Sequence, residues 1–338
     1  MGLSTDRRAA YQGQGWQPRK GTHAGDVAEG AVWARCGVDS EWLPLRQVLL
    51  HLPSTRIRSS GDPDVVQHLD AVDYHRLRRQ ISAYAEVLER FGIRVSWAPI
   101  AGPRSLPPPP PHNRFFVRDQ FLMTPAGAIL GRMASRVRRG EEAAVALGLA
   151  RLGIPLLRAV GGGATFEGAD GIWLGPRTVL VGVGNRTSQE GFVQVRAVLH
   201  EQGIEAIAIS MPRGVQHLLG ILQLVDERLA VVRGERAPQQ LRDVLADRGI
   251  AVVMLPETRE IERQSMNLVT IAPRRVLMVS DTPRTEQQLE AAGVRVCARV
   301  NVSEAIKAAG GLACMTGILE RELTRSTGDS RHAASVAP

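Results

Sequence analysis

Gly171-Ile172-Trp173-Leu174 and Thr178-Val179-Leu180-Val181-Gly182 are two short apolar runs separated by a short turn, and together with the residues after them they decide the fold. A stretch of mixed polar and apolar residues from Glu190 to Gln202 has the spacing of a helix. The run Ala206-Ile207-Ala208-Ile209 then reads as another strand. The unit is strand, strand, helix, strand.

The same order recurs along the chain. One copy starts at Gln120-Phe121-Leu122-Met123 and continues through Ala128-Ile129-Leu130. Another starts at Arg228-Leu229-Ala230-Val231-Val232, with a helix over Gln239 to Arg248 and a strand at Ala251-Val252-Val253-Met254-Leu255. A third joins Asn267-Leu268-Val269-Thr270 to Arg275-Val276-Leu277-Met278-Val279 and a helix from Thr285 to Ala292. An opening copy covers Arg46 to Ile100, with Val48-Leu49-Leu50 and Arg94-Val95-Ser96-Trp97 as strands around a helix from Tyr74 to Phe91. About five ββαβ-like units in one chain point to a closed, repeat-built α/β architecture rather than a doubly wound open sheet. Periodicity alone does not fix the closure.

Composition narrows the function classes. The chain has 338 residues, 44% of them apolar, enough to bury a large core. A net charge of +8 raises the question of a nucleic-acid partner. However, nearly all the cations are arginine, with Lys20 and Lys307 as the two lysines, and aromatics at 4% are too few for a base-stacking platform. No nucleic-acid partner is expected. Cys36, Cys297 and Cys314 have neither metal-ligand spacing nor the even number of a disulfide framework, which points to a reducing compartment. The N-terminus, with Asp6, Arg7 and Arg8, has no apolar signal region, and no run approaches the ~18 residues of a membrane span. A cytoplasmic protein without membrane contact is expected.

Residues 1–43 are rich in Gly, Arg and Gln without hydrophobic period and read as a flexible extension. Residues 326–338 read as a disordered tail. The run Pro107 to Pro111 is expected to be a stiff linker or rim loop.

Four motifs carry the chemistry: Phe116-Val117-Arg118-Asp119, Phe166-Glu167-Gly168-Ala169-Asp170, His217-Leu218-Leu219-Gly220 and Gly310-Gly311-Leu312-Ala313-Cys314-Met315-Thr316. They supply two carboxylates, an imidazole and a thiol, a set suited to nucleophilic attack on a cationic carbon. A cationic carbon whose charge is spread over its neighbours is a poor electrophile. A thiolate is strongly nucleophilic, and a neighbouring cation favours it. Gly310-Gly311 ahead of Cys314 suits a close backbone approach. Gly161-Gly162-Gly163 and Gly182-Val183-Gly184 lack the residues and spacing of phosphate or dinucleotide loops. No cluster has metal-ligand spacing, so neither metal nor cofactor is expected.

In this order the four motifs resemble the guanidino-group-modifying enzymes, or penteins, a superfamily that includes arginine deiminase, dimethylarginine dimethylaminohydrolase and the amidinotransferases. The resemblance covers about residues 44–325. It implies one catalytic domain, a five-fold pseudosymmetric α/β propeller of ββαβ units with the active site on its axis. It also implies a cofactor-free hydrolase of an arginine-like guanidine, working through a Cys314 thiouronium and releasing ammonia or an alkylamine to leave a citrulline-like ureido product. By the same resemblance His217 is the general acid and base, Glu167 holds its imidazole, and Asp119 clamps the guanidinium. Arg186 and Arg138, or Arg139 in place of the latter, bind the substrate carboxylate, and Asn113 is a further substrate contact. Asp170 is expected to support its loop rather than touch substrate.

Two departures stand out. Leu219 occupies the position where arginine deiminases and many amidinotransferases carry a second clamping aspartate, and Lys307-Ala308-Ala309-Gly310 lacks their arginine ahead of the cysteine. Dimethylarginine hydrolases also lack that aspartate, so the substrate guanidine stays open. Two alternatives remain: an amidinotransferase, in which an acceptor amine replaces water, and a non-catalytic ribosome- or RNA-binding propeller. Oligomeric state is not fixed by the sequence.

Overall fold

A computed structural model of the chain describes residues 8–58, 61–100 and 112–324 throughout, with the backbone alone at position 59. The proline run 107–111 and the tail 326–338 lie outside the described residues. Fifteen strands among the described residues form five sheets of three.

Strands β1 (Leu45–Leu50) and β2 (Arg94–Trp97) run parallel, joined through the helix Tyr74–Arg90. Then β3 (Phe121–Thr124) and β4 (Gly127–Leu130) form an antiparallel hairpin, and β5 (Leu156–Ala159) lies parallel to β4 after the helix Glu141–Arg151. The next blade repeats this order with β6 (Gly171–Gly175), β7 (Thr178–Val183), the helix Gln189–Glu201 and β8 (Glu205–Ser210). It recurs with β9 (Leu222–Asp226), β10 (Leu229–Arg233), the helix Gln239–Asp247 and β11 (Ala251–Leu255). The fifth copy is β12 (Val269–Ala272), β13 (Arg275–Val279), the helix Pro283–Ala291 and β14 (Arg295–Val300). Finally β15 (Gly317–Arg321) pairs antiparallel with β1, so the last strand of the chain completes the first blade. The fold is a single-domain α/β propeller of five ββαβ blades.

The first and second strands of the blades are mostly buried, while the third strands are partly exposed. This explains one difference from the sequence expectation. The fourth copy starts at Leu222, one strand before Arg228, because β9 is buried on both faces and merges with the apolar run that begins at Leu218. A strand without alternation carries no period to mark its start.

The helix Tyr74–Arg90 shows how a blade is filled. The Asp73 side chain accepts from the Arg76 N–H at its N-terminus, and Leu77, Ile81, Tyr84 and Leu88 recur on one buried face. Each contributes about 1.5–3 kcal/mol by burial.

The boundary at residue 44 also needs correcting. Cys36, Val38 and Trp42 are buried in the core, and Gly37 bridges Glu320 of β15. Glu41 accepts from Arg118 Nη2 at 2.8 Å and from the Trp173 backbone N–H at 3.2 Å. Further out, the helix His23–Glu29 is capped by Thr22 and buries Val27. Too few apolar residues are spaced here to give a period, yet those present find partners on distant blades.

Candidate active site

The turn leading into the first strand of each blade supplies one polar or nucleophilic side chain. Asp119 lies in the turn Val117–Gln120 before β3, Glu167 caps the turn Gly168–Asp170 before β6, and His217 caps the turn Leu218–Gly220 before β9. Cys314 lies in the single helical turn Leu312–Met315 before β15. The fifth member, Asn267, stands two residues before β12 and was not among the residues singled out from sequence. The five lie 48, 50, 50 and 47 residues apart, so continuing the repeat past His217 would have found it.

Close backbone contacts bring these turns together. A Cβ on Gly168 would meet the Phe121 carbonyl oxygen at 2.1 Å, so only glycine fits there. A Cβ on Gly310 would meet the Phe116 ring at 2.4 Å, and one on Gly311 would meet the Asn267 side chain at 2.8 Å. The Gly-Gly pair thus serves approach to neighbouring blades. Asp170 supports its loop, accepting from Thr187 Oγ1 at 2.6 Å and from the Leu218 N–H at 3.0 Å. It thereby ties the Glu167 turn to the His217 turn, and burial pushes its carboxyl up to about 6.

Glu167 and His217 form a buried pair, with 2.6 Å between Glu167 Oε2 and His217 Nε2. Burial disfavours both charges. For His217 the nearby Asp119 charge and the Glu167 bond outweigh it and raise the imidazole above its ordinary value. For Glu167 the His217 bond and the Arg138, His217 and Arg186 charges hold the carboxyl below its ordinary value. The Ala134 N–H fixes the other oxygen, Glu167 Oε1, at 3.0 Å.

Asp119 has two different oxygens. Oδ2 accepts from Arg138 Nη1 at 2.6 Å, whereas buried Oδ1 has no hydrogen-bond partner among the described residues and lies 4.0 Å from His217 Nδ1. The motif neighbour Arg118 pairs with Glu41. Arg186, in the loop after β7, has its Nη1 3.5 Å from Glu167 Oε1 and without a hydrogen bond among the described residues.

Cys314 Sγ accepts from Asn267 Nδ2 at 2.9 Å, and the Cys314 N–H donates to Asn267 Oδ1 at 3.1 Å. Burial and the Asp119 charge push the thiol up to about 11, against which the backbone N–H of Gly311, Asn267 and the Arg138 charge pull downward.

Asp119, Arg138, Arg186, His217, Cys314 and Asn113 all line one pocket, with Gln67, Phe116, Gln216 and Ala308 to Gly310 completing it. All seven residues expected in the site are therefore together, Glu167 lying just behind His217. Two hold partners other than those expected. The Arg138 guanidinium is spent on Glu141, at 2.7 Å from Nη2, and on Asp119, because burial forces its charge onto carboxylates. Arg139 is exposed and lines a separate cleft. Asn113 holds His68 Nε2 at 2.6 Å and the Val66 carbonyl at 2.9 Å, anchoring the rim turn. Leu219, at the departed clamp position, is buried beside Gln223 and Thr270 and does not line this pocket. Asp119, Glu167 and His217 offer ligand atoms within 4.8 Å of one another, a spacing a metal ion can also use. Here both carboxylates already face a cation, Arg138.

The pocket encloses only about 20 Å³ of free space, room for about one water. Anything larger than water therefore enters only with movement of the rim. Gln67 and Ala309 on that rim hold left-handed backbone at φ 64° and 66°, which residues with a Cβ seldom adopt.

A family model described as arginine deiminase matches residues 102–235 and 233–321. A dimethylarginine dimethylaminohydrolase from Streptomyces coelicolor is 25% identical over 277 residues, covering 81% of this chain and 97% of that protein. Among solved structures, a mutant of the dimethylarginine dimethylaminohydrolase of Pseudomonas aeruginosa complexed with citrulline superposes with a TM-score of 0.66 at 23% identity, covering 82% of this chain and 100% of that one. An amidinotransferase of saxitoxin biosynthesis from Microseira wollei superposes with a TM-score of 0.69 at 15% identity, covering 86% and 98%. With the family model spanning more than half its length and the five-bladed fold in agreement, the chain belongs to the arginine deiminase family, within the guanidino-group-modifying or pentein superfamily.

Proposed function

We propose that this protein hydrolyses the guanidinium group of arginine or an arginine derivative through a covalent intermediate on Cys314. The observation that carries the reading is the convergence of a thiol, an imidazole held at 2.6 Å by a buried carboxylate, and an Asp119 carboxylate oxygen without a hydrogen-bond partner among the described residues. The relative from Streptomyces coelicolor, named for dimethylarginine, supports the substrate class.

The guanidinium docks against Asp119 Oδ1, and its charge takes over part of what raises the Cys314 thiol, so substrate binding itself favours the thiolate. Sγ attacks the central carbon. The C–N bond breaks as His217 gives its proton to the departing amine, which leaves a thiouronium on Cys314. Water adds to that carbon, His217 takes back a proton, and the C–S bond breaks to release the ureido product and restore the thiolate. Arg186, whose buried Nη1 makes no hydrogen bond among the described residues, turns from Glu167 to bind the substrate carboxylate. Arg138 contributes there only after loosening from Asp119.

Intact-protein mass spectrometry after acid quench with arginine, methylated arginines and agmatine tests the proposal. A substrate-dependent adduct in the wild type, absent in Cys314→Ser, is expected. Absence of both adduct and turnover with every guanidine would overturn it, and a salt-sensitive RNA or ribosome complex in that case would establish the binding-propeller alternative. The likeness to an amidinotransferase fold keeps amidino transfer as the second reading. Adding glycine or lysine after arginine separates the two, since transfer yields an amidinated acceptor and hydrolysis does not.

A further inference from the structure

We infer that Asn267 is the fifth member of the catalytic set, fixing the Cys314 nucleophile by its backbone and donating a hydrogen bond to Sγ. The inference rests on the proposed role of Cys314 and concerns what prepares that thiol.

The orientation of the Asn267 carboxamide is determined by its surroundings. The Cys314 backbone N–H, 3.1 Å away, is a donor and requires an oxygen, so Oδ1 must face it. That leaves Nδ2 toward Sγ at 2.9 Å, with Gln264 Oε1 at 3.5 Å as a further acceptor. Both N–H bonds of Nδ2 are thus directed at acceptors, and one of them is the reacting atom.

The scaffold holds this arrangement. Asn267 is buried, and its own N–H donates to the Gln264 carbonyl at 2.9 Å within a turn whose Gln264 has φ 62°. Across from it Gly311 leaves no room for a Cβ, so the carboxamide lies flush against the cysteine turn. A hydrogen-bond donor at this distance favours an anionic sulfur over a neutral one. In a pocket that buries the thiol beside the Asp119 carboxylate, it is a neutral donor contributed by a blade that otherwise gives the site nothing charged.

The test reads Cys314 directly, without substrate. The rate of iodoacetamide labelling at Cys314, followed by peptide mass spectrometry, is measured against pH for wild type, Asn267→Ala and Asn267→Asp. The aspartate is isosteric and keeps an oxygen for the Cys314 N–H, so it removes the donor while preserving the turn; thermal melting checks that it folds. Labelling at pH 8 should fall by about tenfold or more in both variants, with the profile displaced to higher pH. In turnover, kcat should fall with KM little changed, and the deficit of Asn267→Ala should narrow as pH rises. A folded Asn267→Asp whose labelling profile matches wild type would overturn the inference. Because labelling needs no guanidine, the two readings fail separately: a displaced profile without turnover removes the hydrolase reading alone, and an undisplaced profile with turnover removes only the role of Asn267.

Discussion

Glu167 is the residue on which the proposed acid–base function and stability meet. It holds the His217 imidazole and, with Asp119, compensates the buried Arg138 charge. Glu167→Gln is expected to leave substrate binding largely intact and to lower kcat by about 10²–10⁴-fold. Unchanged kcat in steady-state assays would remove the pair from the mechanism. The stability linkage has a definite sign. Glu167 is held below its ordinary 4.5, so its contribution is complete above that pH and lost as pH falls through the lowered value. His217 is raised above its ordinary 6.5, so its contribution is complete below that pH and lost as pH rises through the raised value. Urea denaturation should therefore show the largest gap between wild type and Glu167→Gln between pH 4.5 and 6.5, and a narrowing gap on the alkaline side. A gap that widens there would show that the imidazolium is not what the carboxylate stabilises.

Among the elements, the turn ahead of each first strand sets the geometry of the site, and its tolerance is small. Gly310→Ala would drive a Cβ into the Phe116 ring. It should destabilise the fold by about 1–3 kcal/mol and displace Cys314 enough to lower activity more than stability. Combining it with Phe116→Leu should recover part of both losses, since the two changes share one contact. Simple additivity in denaturation and kinetics would show that the glycine serves something other than this approach. The elements also show what the sequence disclosed. The helix Tyr74–Arg90 was legible because Leu77, Ile81, Tyr84 and Leu88 keep a helical period on a half-exposed element. β9 was not, because full burial erases alternation.

For the whole molecule, closure depends on both ends of the described chain. β15 completes the first blade, and residues 36–42 are buried, with Gly37 bridging Glu320 of that strand. Glu41 neutralises Arg118, and buried Arg321 lies within reach of the same charge, which opposes the lowering of its guanidinium by burial. A chain starting at residue 44 should lose about 3–5 kcal/mol relative to one starting at residue 37, because it leaves buried arginines uncompensated. Equal denaturation midpoints would mean that water replaces Glu41 at no cost. Among the described residues no helix is long and apolar enough to cross a membrane.

The sequence by itself determined the repeat, the order of blades and the positions of Asp119, Glu167, His217 and Cys314, because strand and helix periods and motif order are local properties. Tertiary structure decided how those groups are partnered. That Arg138 spends its charge on Asp119, that Asn113 holds His68, that Glu41 meets Arg118 and that Asn267 lies against Cys314 all depend on residues from different turns converging. A buried charge or donor takes whichever partner the fold brings within reach. In a closed propeller that partner usually comes from another blade, tens of residues away, where no local pattern records it.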